Sequence, residues 1–103
     1  MSRSIAHVPT TSGSRYLQQL SKHWSHSLKV ESTPQLSRIV FPRDARGADW
    51  PGDALVTMEA QAETLDVTIE ASSPEHLEQL KGTLARHLDR FAFREAPLSF
   101  AWS

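Results

Sequence analysis

The chain has 103 residues and a mass of 11.5 kDa, the size of a single domain, so a second independent core is excluded. Eleven Lys plus Arg stand against 12 Asp plus Glu, a net charge of -1, so the general attraction behind nucleic-acid or anionic-membrane binding is missing and neither partner is expected. There is no Cys, which leaves any metal to His, Asp or Glu, and the five His are the one compositional oddity.

No window is apolar over a bilayer's width and Met1 to Thr10 lacks the apolar centre of a secretory signal, so a cytoplasmic location is expected. Ser4 to Val8 alternates weakly, as an edge strand would, before Pro9 and the Thr10, Thr11, Ser12, Gly13 cluster interrupt it. A helix follows: Thr11, Ser12 and Ser14 are candidate N-caps, and Tyr16, Leu17, Leu20, Trp24 and Leu28 recur at helical spacing as one apolar stripe. His23 lies at the margin of that stripe, and Arg15, Gln19 and His26 sit further round the same flank.

Leu28 and Val30, then Leu36 to Phe41, separated by Thr33 and Pro34, read as strand, turn and strand. Arg43 to Gly52, rich in charge, Pro and Gly, has the composition of a surface loop; Trp50 within it suits either a lid or partner contact or a hydrophobic plug. Ala54 to Ala60 and Thr64 to Glu70 form the clearest strand pair, since Leu65, Val67 and Ile69 alternate with Asp66, Thr68 and Glu70. A second helix starts with Ser73 as N-cap and Pro74 at its first position, and Leu77, Leu80, Leu84, Leu88 and Phe91 carry its apolar stripe. After Pro97, the alternation of Leu98, Phe100 and Trp102 with Ser99 and Ala101 predicts a closing strand.

Strand, helix, several strands, helix and strand cannot make a parallel α/β sheet, because the middle strands lack helical crossovers. The expected fold is α+β, a two-layer sandwich with two amphipathic helices on one face of a mainly antiparallel sheet of about five to six strands. The far face would carry Asp66, Thr68, Glu70 and Ser99, open to water or to a second copy in a homodimer.

His23 and His26, three apart on a helix, project on one side and can share a ligand; a zinc or iron site would need at least one more group. His87, at the margin of the second stripe with His76, Thr83, Arg90 and Arg94 on its flank, is the candidate third ligand if the helices face each other. The alternative is that these rings border the core, each bonded to a carbonyl or carboxylate. His7 and His76 are expected at the surface, and Phe91, Phe93, Phe100, Trp102 and Trp24 in the core. Arg86, Arg90 and Arg94 complement the second helix's dipole and can pair with Asp89 and Glu95; in the functional version Arg90 or Arg94 clamps a small anionic ligand. Without a glycine-rich phosphate loop, a defensible Ser/His/Asp order or a carboxylate pair on a strand end, nucleotide hydrolysis, acyl transfer and glycoside cleavage have no support.

The run Arg15 to His26, RYLQQLSKHWSH, and the run His87 to Glu95, HLDRFAFRE, with the terminal Trp102, together resemble a bacterial family catalogued as domain of unknown function 2218. The resemblance spans nearly the whole chain and implies a small stand-alone protein without an established activity, loosely associated with iron and siderophore uptake. Some members carry the label of a dihydroxyheptenedioate aldolase, which suits this chain poorly because such aldolases are far larger barrels with carboxylate metal sites. Ser21 stands where the family commonly has Cys, and Arg43 to Gly52 is longer than usual. The resulting reading is a metal- or small-anion-binding accessory domain built on His23, His26 and His87 with Arg90 and Arg94; the alternatives are a homodimeric interaction module and a small acid/base enzyme acting on an anionic metabolite.

Overall fold

A computed structural model describes residues 2–44 and 47–103. Its elements are β1 (Ser2–Pro9), α1 (Gly13–Trp24), β2 (Lys29–Ser32), β3 (Leu36–Phe41), β4 (Ala54–Ala60), β5 (Thr64–Ala71) and α2 (Pro74–Phe91). The strands form one sheet in the order β1-β5-β4-β3-β2, with every neighbouring pair antiparallel. This is the two-layer α+β sandwich that the element order implies.

Alternation decides which face is buried. Ala6 and Val8 of β1, Ile39 of β3, Val56 and Met58 of β4, and Leu65, Val67 and Ile69 of β5 all point to the helices and are fully buried. Both helices lie on that face: α1 over β3 and β4, α2 over β5 and β1, with the helices also touching each other. Their stripes, Leu17, Leu20 and Trp24 against Leu80, Leu84 and Leu88, close the core. Each fully buried Leu contributes about 1.5–3 kcal/mol of transfer free energy. The far face carries Asp66, Thr68 and Glu70 in register with His7, Ile5 and Arg3.

The helix ends follow their local chemistry. Ser73 is extended, and its hydroxyl accepts from the His76 amide at 3.2 Å while Pro74 supplies the preset φ of the first turn. At α1 the Ser12 side chain makes no cap bond; Thr10 Oγ1 accepts from the Ser12 amide at 3.1 Å instead. Gly13 packs closely there: an added Cβ would lie 3.2 Å from Leu65 Cβ, so a larger residue would need that neighbour to move by a few tenths of an ångström. α1 stops at Trp24, whose carbonyl accepts from the Ser27 and Leu28 amides, so Leu28 lies past the helix although it fits its stripe.

The C-terminal segment departs from expectation. Leu98 to Ser103 is not a strand; it meets β1 through the reciprocal Ile5–Ser103 backbone bonds, at 3.1 and 2.9 Å. Asp89 Oδ1 accepts from the Leu98 amide at 2.9 Å, so the start of the segment is tied to α2 and its end to β1. Ser99 therefore has no place on the sheet's far face. Phe93 is also corrected: at 72% exposure it lies beyond the end of α2, outside the core. Phe91, Phe100 and Trp102 are packed against the core from its edge, and Trp24 is buried in it.

Candidate functional site

One ridge of α2 organises the polar chemistry. His76, Leu80, Thr83, His87 and Phe91 follow each other at steps of three or four and form one row along the helix. Beside the first part of the row lies a cavity of about 460 Å³, within the usual range for small-molecule sites. Trp24 from α1, Phe41 from β3, Trp50 from the loop after β3, and His76, Leu80 and Thr83 from α2 form much of its wall.

Trp50 is held from below by Arg43. The Arg43 carbonyl accepts from the Trp50 amide at 3.0 Å, and its Nε donates to the Trp50 carbonyl at 3.1 Å. Its own amide donates to Asp53 Oδ1 and its guanidinium to Asp49 Oδ1, at 2.8 and 2.7 Å. So fixed, the Trp50 indole stacks on the His76 ring, with centroids 4.4 Å apart and planes inclined by 2°.

His76 is not at the surface, as the sequence suggested, but 4% exposed. It sits one helical turn before Leu80 and two before Leu84, so it shares their inward stripe, and Trp50 covers it. Its Nδ1 is buried and, among the described residues, has no hydrogen-bond partner. Burial pulls the imidazole pKa below its ordinary value, so the ring is neutral near pH 7. The signal was present in the sequence as the 76, 80, 84 spacing; the polar residue type masked it.

The second part of the row meets α1. His23 and His87 lie with ring centroids 5.5 Å apart, and Phe91 stands edge-on to His23 at 6.0 Å. On its other side His87 touches Trp24, at 5.0 Å between centroids, and Trp24 is edge-on to Phe41 at 5.0 Å. Trp24 thus forms a common wall between the imidazole pair and the cavity. His87 Nδ1 is 2.7 Å from the Thr83 carbonyl. A carbonyl only accepts, so this nitrogen carries a proton, and in the neutral ring Nε2 is the nitrogen with the free lone pair.

The three-histidine cluster does not form. Among the described residues no group of three or more His, Cys, Asp or Glu is placed to hold a metal. His26 is exposed beyond the end of α1, where the helical spacing that would align it with His23 no longer applies. Arg90 and Arg94 are also exposed and do not line the cavity; the Arg94 guanidinium lies over the Phe93 ring at 5.7 Å. Their expected carboxylate partners are engaged elsewhere: Asp89 with the Leu98 amide, and Glu95 with Thr10 and Tyr16. His7 is at the surface as expected, paired with Asp66 at 2.7 Å.

A wider groove of about 580 Å³ runs between α1 and the β2–β3 turn, lined by Gln18, Lys22, Thr33 and other mostly exposed residues. No buried unpartnered side-chain atom faces it among the described residues, since the one such atom is His76 Nδ1. Among the described residues no helix is long and apolar enough to cross a membrane.

Comparison with known proteins supports the fold. An NMR structure of PA4090 from Pseudomonas aeruginosa is similar with a TM-score of 0.75 at 30% sequence identity, covering 100% of this chain and 96% of that one. No curated protein matches. The model of the DUF2218 family, described as an uncharacterized protein conserved in bacteria, matches residues 5–103, nearly the whole chain, and the chain therefore belongs to that family.

Proposed function

We propose that the protein is a small-molecule-binding domain whose site is the cavity between Trp24, Phe41, Trp50 and His76. One observation carries this reading: a neutral, almost fully buried imidazole lines an aromatic cavity, and its Nδ1 has no hydrogen-bond partner among the described residues. Leaving a buried polar atom unpaired costs about 1–3 kcal/mol; a ligand would remove that cost by bonding Nδ1 once the side chains around it yield, since solvent does not reach the atom as it stands. Among the described residues no Lys or Arg lines the cavity, and Arg90 and Arg94 are not part of its wall, so the small-anion reading attached to them draws no support from it. The favoured ligand is flat and uncharged, stacks on the aromatic walls, and offers one hydroxyl or amide to His76.

The test uses phenol as probe, with toluene and benzoate for comparison, titrated into ¹⁵N-labelled protein. Saturable shifts of the Trp50 indole and His76 ring signals by phenol, weaker with toluene and benzoate, support the reading. Benzoate binding more tightly than phenol would restore the anion reading. No saturable response at either residue would remove the cavity as a binding site.

A further inference from the structure

We infer that His23 and His87 form a two-imidazole site for a divalent late first-row metal ion, zinc being the simplest occupant, bridging the end of α1 to α2. Their ring centroids are 5.5 Å apart. Two imidazoles bound to one ion at a Zn–N distance of about 2.0–2.1 Å, at a tetrahedral angle, bring their ring centres to about 5–5.5 Å. The ring-centre separation of the pair matches the upper end of that range.

The second observation concerns the tautomer. His87 donates from Nδ1 to the Thr83 carbonyl at 2.7 Å, the outer contact that commonly orients a metal-binding histidine and leaves Nε2 as the ligand atom. That Nε2 has no hydrogen-bond partner among the described residues and is not one of the fully buried unpaired atoms, on a residue that is half-buried. His23 is exposed, with Phe91 against its ring, and both rings are packed from behind, by Phe91 and by Trp24. No carboxylate joins them, because no third His, Asp or Glu is in reach among the described residues. The remaining positions on the ion therefore belong to water or to a donor from outside the chain. Trp24 separates this site from the cavity, so it is independent of the small-molecule reading.

Zinc chloride titrated into the full chain, read by ¹⁵N signals of the imidazoles, tests it. The expected result is one saturable event that moves His23 and His87 together. His23→Ala and, separately, His87→Gln should each weaken it by about tenfold or more, while His26→Ala leaves it unchanged. His23 is exposed, so its variant tests the site without threatening the fold; an unchanged amide spectrum in His87→Gln shows that its core is intact. Zinc moving His23 together with His26, unaffected by His87→Gln, would overturn the proposal, as would the absence of saturation at millimolar zinc.

Discussion

The Tyr16 hydroxyl, near the start of α1, donates to the carboxylate of Glu95, just past the end of α2, and Thr10 Oγ1 donates to both oxygens of that carboxylate at 3.0 and 3.1 Å. The two signature runs of the sequence, RYLQQLSKHWSH and HLDRFAFRE, are therefore bonded at one end by Tyr16 and Glu95 and packed at the other by His23 and His87. The hydrogen bond to Glu95, helped by burial and by the carboxylate's charge, raises the Tyr16 pKa above its ordinary 10.0. An acid raised in the folded state favours folding while the unfolded tyrosine is still protonated; this contribution is lost as pH rises past about 10. Tyr16→Phe should cost about 1–2 kcal/mol at neutral pH and flatten the alkaline fall, and Glu95→Gln should return the Tyr16 absorbance titration toward 10.0. Urea unfolding and ultraviolet titration check both.

Ser21 and Ser37 form a second polar contact, inside the core. Their hydroxyls are 2.5 Å apart, and Ser21 Oγ also donates to the Leu17 carbonyl at 2.6 Å, so Ser37 is the donor between them. Ser21→Ala strands the fully buried Ser37 hydroxyl and should cost about 1–3 kcal/mol. Ser37→Ala leaves Ser21 bonded to Leu17 and should cost less. The double variant should be more stable than the sum of the singles predicts, a coupling that a double-mutant cycle in urea measures directly. Additive costs would show that the two hydroxyls do not interact.

Periodicity and capping made most of the frame legible. Ser73 and Pro74 mark the start of α2, Leu65, Val67 and Ile69 mark the buried face of β5, and the far face carries Asp66, Thr68 and Glu70 as their alternation implies. Elsewhere tertiary contacts decided the outcome. Leu98 to Trp102 alternates like a strand, but Asp89 captures the Leu98 amide and the segment reaches β1 through Ser103. Phe93 is apolar but falls after the helix ends, where no stripe faces the core. The candidate site was legible only in part. That His87 could face His23 follows from their margins on the two stripes, but the exclusion of His26 depends on α1 ending at Trp24. The Trp50–His76 stack depends on how Arg43 folds the loop, which no local pattern encodes.

Stability on the acid side should fall in two separate stages. Burial lowers the His76 pKa, so the unfolded chain takes up that proton near pH 6.5 while the folded chain resists. Stability from this group is complete above that range and declines as pH falls through it. Burial pushes the Asp66 carboxyl up, but hydrogen bonds from His7 Nδ1 at 2.7 Å and Thr64 Oγ1 at 3.0 Å outweigh it and hold the pKa below its ordinary 3.8. That contribution is present above about pH 4 and is lost only below it. Urea midpoints measured from pH 7.5 down to 3 should show both stages, and Asp66→Asn should abolish the lower one alone. Because His7 is largely exposed, His7→Ala should cost less than about 1 kcal/mol.

His76→Phe separates stability from binding. Phenylalanine keeps a flat ring against Trp50, where the native pair stacks at 4.4 Å, and removes the buried Nδ1 that has no partner among the described residues. An apolar ring has no such atom to desolvate, so the variant should be more stable than the native chain by about 1 kcal/mol, and the upper acid stage should vanish. His76→Ala loses the ring as well and opens space beside Leu80, so it should be destabilised by about 2 kcal/mol or more. Phenol binding should be lost in both, because neither retains the acceptor or donor that Nδ1 presents. Thermal or urea unfolding of the two variants, with the phenol titration repeated on each, measures this divergence. Equal destabilisation by Phe and Ala would mean that Nδ1 is paired in the folded protein, and the cavity would then lose the polar group on which its proposed role depends.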